Sequence, residues 1–173
     1  MAWWMTVYCR EPLATLDAAQ VDAGLRGDDP VAPAGIDYPT LGEDHELDED
    51  QAALALAHLR VTHAGAHALD LEIRYRPEPD ARPIVVHPWT EPARVVEELD
   101  EAREGRDPPP EALARLADVR AVIGIELGFA QLRDMGLVIA CELARYLAQK
   151  GDGVIVDDEG EWFAVVDGEF VDP

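Results

Sequence analysis

Leu69-Asp70-Leu71-Glu72-Ile73-Arg74-Tyr75-Arg76 alternates apolar and charged residues without a break. Successive side chains of an extended chain point to opposite faces. Leu69, Leu71, Ile73 and Tyr75 therefore share an inward face, and Asp70, Glu72, Arg74 and Arg76 face water. Pro77-Glu78-Pro79-Asp80 turns the chain. Arg82 to His87, with Ile84-Val85-Val86 at its centre, is predicted to return as an antiparallel partner, and Pro83 and Pro88 confine it to an edge or its ends.

Working toward the N-terminus, Asp48 followed by Gln51 resembles a capping box that opens an alanine- and leucine-rich helix to about Val61. The segment 27–42, with Asp28-Asp29-Pro30, Pro33 and Pro39, has the composition of a loop. Thr15 is placed to cap a helix from Leu16 to Arg26. The aromatic and β-branched start, Trp3 to Cys9, reads as a first strand that Arg10-Glu11-Pro12 ends.

Toward the C-terminus, Thr90 opens a helix carrying Val95, Val96 and Leu99, and a short helix around Leu113 and Leu116 follows Pro108-Pro109-Pro110. Val119 to Leu127 suits a central strand. Phe129, Leu132, Gly136, Ile139, Leu143 and Tyr146 then recur at three- and four-residue steps, predicting a long helix to Lys150 that Gly151 terminates. Gly153 to Val156 and Trp162 to Val166 form a predicted hairpin, and Asp167-Gly168 turns into Glu169-Phe170-Val171. This order predicts a single α+β domain spanning 1–173: a largely antiparallel sheet with helices on one face, ferredoxin-like or a related split βαβ arrangement.

The 173 residues are 48% hydrophobic and 29% charged, which suits one globular domain. No apolar run approaches the ~18 residues of a membrane span, and the start lacks the basic region of a signal peptide, so the expected location is the cytoplasm. There is no serine and no asparagine, which removes serine-based hydrolysis. Lys150 is the sole lysine and is not followed by Ser or Thr, so there is no phosphate-binding loop. Its place at a helix end suits the helix dipole. Cys9 and Cys141 are too few for a disulfide framework and read as small core residues.

Lys+Arg number 14 against 36 Asp+Glu, a formal net charge of -22, which argues against direct nucleic-acid binding. The charge is uneven. Residues 1–50 hold 12 acids and 2 bases, residues 51–150 hold 16 and 12, and residues 151–173 hold 8 acids and no base. Two runs concentrate it: Glu43-Asp44-His45-Glu46-Leu47-Asp48-Glu49-Asp50 and Asp157-Asp158-Glu159-Gly160-Glu161. If the chain ends adjoin, the runs make one negative face suited to steering a basic partner. Glu43, Asp44, Glu46, Asp48, Asp157, Asp158, Glu159 and Glu161 are then the candidate contacts, with Trp162 and Phe163 as aromatic anchors. The competing readings are plain solvation for the acids and hairpin packing for Trp162.

No metal site, cofactor or catalytic constellation is predicted. His58, His63 and His67 have a ligand-like spacing, but Gly65 interrupts any helix there. The 157–161 carboxylates do not match a calcium loop. Glu126, ending an apolar strand, is the best acid-base candidate for an enzyme working with Asp157 and Asp158, against a salt-bridge role with Arg133 or Arg145.

A small, very acidic α+β chain with these runs, ending Val154-Ile155-Val156-Asp157-Asp158-Glu159-Gly160-Glu161-Trp162, resembles the immunity proteins of bacterial toxin systems. The resemblance implies a non-catalytic inhibitor that covers a basic toxin or nuclease in a one-to-one complex. An enzyme using carboxylates and a housekeeping protein kept soluble by its charge are the alternatives.

Overall fold

The alternation at Leu69 to Tyr75 places all four apolar side chains in the core, with Leu71 and Ile73 fully buried. A computed structural model describes residues 2–29 and 36–173; Pro30 and Pro33 of the predicted loop lie outside the described residues. The elements are β1 (Ala2–Cys9), α1 (Ala18–Arg26), α2 (Tyr38–Asp44), α3 (Glu49–His58), β2 (Arg60–His63), β3 (Leu71–Arg74), β4 (Ile84–Trp89), α4 (Pro92–Gly105), α5 (Pro110–Arg115), β5 (Ala121–Gly128), α6 (Met135–Gly151), β6 (Gly153–Asp157), β7 (Trp162–Val166) and β8 (Glu169–Val171).

One eight-stranded sheet has the order β2-β3-β4-β5-β1-β6-β7-β8. Every neighbouring pair is antiparallel. The fold is thus α+β. Its four central strands, β4-β5-β1-β6, realise the split plan: β5 and β6 run parallel, joined through α6, with β1 inserted between them. β2 and β3 extend the sheet beyond β4, and β7 and β8 extend it beyond β6.

The helices do not all lie on one face. Val7 and its alternates face a large core with Val21 and Leu25 of α1, Ala52 and Ala55 of α3, and Val138, Ile139, Leu143 and Leu147 of α6. Tyr8, one residue on, faces a second core in which Val95, Leu99 and Ala102 of α4 and Ala112 of α5 cover Val122, Val154, Val156 and Trp162. The physical reason is that the central strands are apolar on both sides: Ala121 to Ile125 of β5 is buried without a break, so each face needs a cover. Fully burying Val122, Ile123 or Ile125 contributes about 1.5–3 kcal/mol each.

Element ends follow capping chemistry. Asp48 and Gln51 form the predicted capping box, Asp48 accepting from Gln51 N–H at 2.8 Å. The helix stops at His58, and Val61, predicted as its end, lies instead in β2, paired with Ile73 of β3. α1 is capped by Asp17 rather than Thr15, again through a capping box. α2 starts inside the predicted loop: Asp37 caps it, and Pro39 sits in its first turn, where a missing N–H costs nothing. The long periodic segment divides at Asp134. Residues before it form a 3-10 turn, and its carboxylate caps α6 and accepts from Tyr75 Oη at 2.8 Å and from Arg76. Asp152, not Gly151, takes the left-handed conformation that ends α6.

Candidate functional site

The strand pairing that brings the chain ends together is direct. β6 lies beside β1, pairing Met5 with Asp157 and Val7 with Ile155. α2, which leads into the first acidic run, packs on the α6 side of the sheet. Two adjoining hollows form there. One, of about 360 Å³, is lined by Leu41, His45, Val138, Cys141, Glu142, Arg145 and the β8 residues Glu169 and Phe170. The other, of about 350 Å³, is lined by Trp3, Met5, Leu137, Cys141, Asp157, Glu159, Phe163 and Phe170. Cys141 and Phe170 belong to both, so a single groove runs from the end of α2 to the β6–β7 turn.

The acidic runs reach this groove from its two ends. Glu43, Asp44, Glu46 and Asp48 are exposed around His45. Asp158, Glu159 and Glu161 are exposed on the β6–β7 turn, and Asp157 is half-buried. Among the described residues, none of these eight carboxylates takes part in an ion pair. Several cations pair elsewhere, as in Arg10–Asp152, Arg26–Asp22, Arg74–Glu72, Arg94–Glu97 and Lys150–Asp29, while Arg106 meets the second run at the Asp157 main-chain carbonyl, 2.6 Å away. Two of the eight have local work. Asp48 caps α3, and Asp157 Oδ1 accepts from the N–H groups of Glu159 and Glu161 at 2.9 Å, shaping the turn that presents the others.

Trp162 is not a surface anchor. Only 7% exposed, it stacks on Tyr8 at 5.9 Å on the opposite face of the sheet and donates Nε1–H to the Arg106 carbonyl at 2.9 Å. Strand alternation sends it there, because Val156, its partner across the β6–β7 pair, faces the α4 side. The other anchor named from the sequence, Phe163, does line the groove, edge-to-face with Phe170 at 5.9 Å. The signal for Phe170 was available in the Asp167-Gly168 turn: both residues have positive φ, which closes a two-residue hairpin and sets Phe170 opposite Val165.

The groove floor carries charge of its own. Glu142 and Arg145 form an ion pair with both side chains under a tenth exposed, and Arg145 also donates to Gln149 and to the Gly168 carbonyl. Cys141 is an inert lining group: burial first, then Glu142 and Asp157, push its thiol up to about 12.

Glu126 lies elsewhere. It faces the α4 side opposite Trp4 and Val85, whereas Asp157 faces the α6 side beside Met5, so the sheet separates the two carboxylates. Its partners are Arg82 and His87 Nε2, the latter at 3.0 Å, rather than Arg133 or Arg145. His87 belongs to an aromatic group with Trp4 and Trp89 packed over Gly124, where an added β-carbon would come within 2.6 Å of the Trp89 ring. Period-two spacing of His87 and Trp89 in β4 is the sequence sign of that group.

Among the described residues, no three His, Cys, Asp or Glu are arranged to hold a metal ion. No helix there is long and apolar enough to cross a membrane. Compared with protein-family models, with curated proteins and with solved structures, the chain matches none.

Proposed function

We propose that this chain is a non-catalytic acidic binding protein of the immunity type. It acts in the cytoplasm and neutralises a basic toxin or effector by occupying it one-to-one. The observation that carries the reading is the convergence of two acidic segments, distant in sequence and free of ion pairs among the described residues, on one groove with an aromatic wall. Unpaired carboxylates at the ends of an apolar groove supply both parts of a docking surface: long-range attraction for a cationic surface, and desolvated contact area once it arrives.

The test is co-expression with the product of the neighbouring gene, which this reading expects to encode a basic effector domain. The expected result is a stable one-to-one complex on size-exclusion chromatography and loss of the effector's activity in that complex. An effector that stays fully active and elutes separately contradicts the reading.

A further inference from the structure

The β8 edge of the sheet is built to accept another strand. β8 ends the strand order, so β7 is its one sheet neighbour among the described residues. Asp167 (φ 52) and Gly168 (φ 86) form a two-residue turn, which makes the flanking pair Val166–Glu169 the hydrogen-bonded one. The next pair, Val165–Phe170, is then non-hydrogen-bonded, and the N–H and C=O of Phe170 point away from β7.

β8 is only three residues long and carries Glu169, with Asp172-Pro173 after it; it differs from the opposite edge in being acidic and partly apolar. The opposite edge, β2, is a four-residue strand carrying Arg60 and His63, with α1 packed near it. On the β8 hairpin, Val166, Phe170 and Val171 are all exposed apolar residues. Arg145 holds the turn in place through the Gly168 carbonyl. A strand laid along β8 would continue the groove: its side chains on the Phe170 side would meet Leu41, Val138 and Cys141.

The charge selects the occupant. Asp158, Glu159 and Glu161 lie on the β6–β7 turn, Asp167 and Glu169 on the β7–β8 hairpin and Asp172 just after it, and residues 151–173 contain no base. A second copy of a chain carrying -22 would bring like charge against like. We infer that β8 pairs with an extended segment of the partner protein in which apolar residues alternate with lysine or arginine. This rests on the docking reading and specifies how that site is used.

The probe is an acetylated, amidated eight-residue peptide alternating valine with lysine or arginine. Its control is the same peptide N-methylated at alternate residues, which keeps the charge and removes the donors of one edge. Binding to the full chain is measured by calorimetry, with hydrogen exchange read at the Phe170 amide. Phe170→Pro removes the outward N–H without touching the β7–β8 ladder, and Phe170→Ala removes the ring alone. The expected result is salt-sensitive binding that slows Phe170 exchange and weakens about 10-fold on Phe170→Pro and on N-methylation, the loss of a paired main-chain donor. Phe170→Ala should weaken it less.

Equal binding of the two peptides, or equal binding to the wild type and Phe170→Pro, overturns strand addition and leaves charge-based docking standing. Absence of peptide binding to the wild type also overturns it, while the docking reading is judged separately on the whole effector. The N-methylated peptide keeps the test decisive if Phe170→Pro does not fold.

Discussion

Glu142 and Arg145, three residues apart on α6, form an ion pair sealed on both sides, and Arg145 Nη1 also reaches across the groove to the Gly168 carbonyl at 3.5 Å. The pair is both floor and clamp, fixing the β7–β8 hairpin against the long helix. Removing one partner strands the other charge in a buried site, so Arg145→Met should cost about 3–5 kcal/mol in urea unfolding. The double variant Glu142→Leu/Arg145→Met should recover most of that loss. A single variant as stable as wild type would show that the pair is not sealed.

Trp162 offers a complementary test, because its ring and its N–H do separate work. Trp162→Ala should destabilise by about 3–5 kcal/mol through cavity formation against Tyr8. Trp162→Phe should cost less, roughly 1–3 kcal/mol, because the Arg106 carbonyl then loses its donor. Neither should change the association rate of a folded variant with a basic partner, since the residue lies behind the sheet from the groove. Thermal melts together with stopped-flow association separate the two effects.

Alkaline pH should unfold this protein early. Burial, with Asp152 as the lesser cause, pushes the Cys9 thiol up to about 12, and burial likewise leads the rise at Cys141. The hydroxyls of Tyr8, Tyr38, Tyr75 and Tyr146 are all raised, burial being the first cause in each. A folded-state value above the unfolded one gives stability that is whole below the ordinary thiol value of 9.0 and is lost as pH rises toward 12. The slope approaches about 1.4 kcal/mol per pH unit for each thiol. Melting temperature should therefore fall steeply between pH 9 and pH 11, and Cys9→Ala/Cys141→Ala should flatten that fall. A pH-independent melt over this range would contradict the burial.

Asp134 holds more than a helix end. It caps α6 through the Gly136 N–H at 2.7 Å while receiving Tyr75 Oη and Arg76 from beyond β3. Asp134→Ala should therefore exceed the ~1 kcal/mol of an ordinary cap, and Asp134→Asn should recover part of the loss. Chemical denaturation of the three proteins measures both.

What was legible in the sequence was local. The alternation of Leu69 to Tyr75, the Asp48–Gln51 box and the Asp167-Gly168 turn depend on neighbouring residues, and each appears where the pattern places it. The failures are non-local. β2 exists because Val61 finds Ile73 across the seven-residue loop 64–70, which no helical propensity in 49–61 records. The apolar stripe of α4 announces that the helix packs, but not which face of the sheet it covers. Trp162 resembled a surface anchor beside four acids, and the register of β6 with β7 decided its direction. Pro39 reads as a breaker in a proline-rich stretch until Asp37 is recognised as a cap before it. The groove itself was invisible, since Leu41, Cys141 and Phe170 meet through tertiary packing alone.

The central claim is that the carboxylates beside the groove steer a cationic partner. Its most direct test is the association rate measured at low and at moderate salt for wild type and for Asp158→Lys/Glu159→Lys/Glu161→Lys, which spares the turn-forming Asp157. The account predicts association roughly 10-fold or more slower for the variant at low salt, converging with wild type as salt rises. Equal rates at low salt would contradict it.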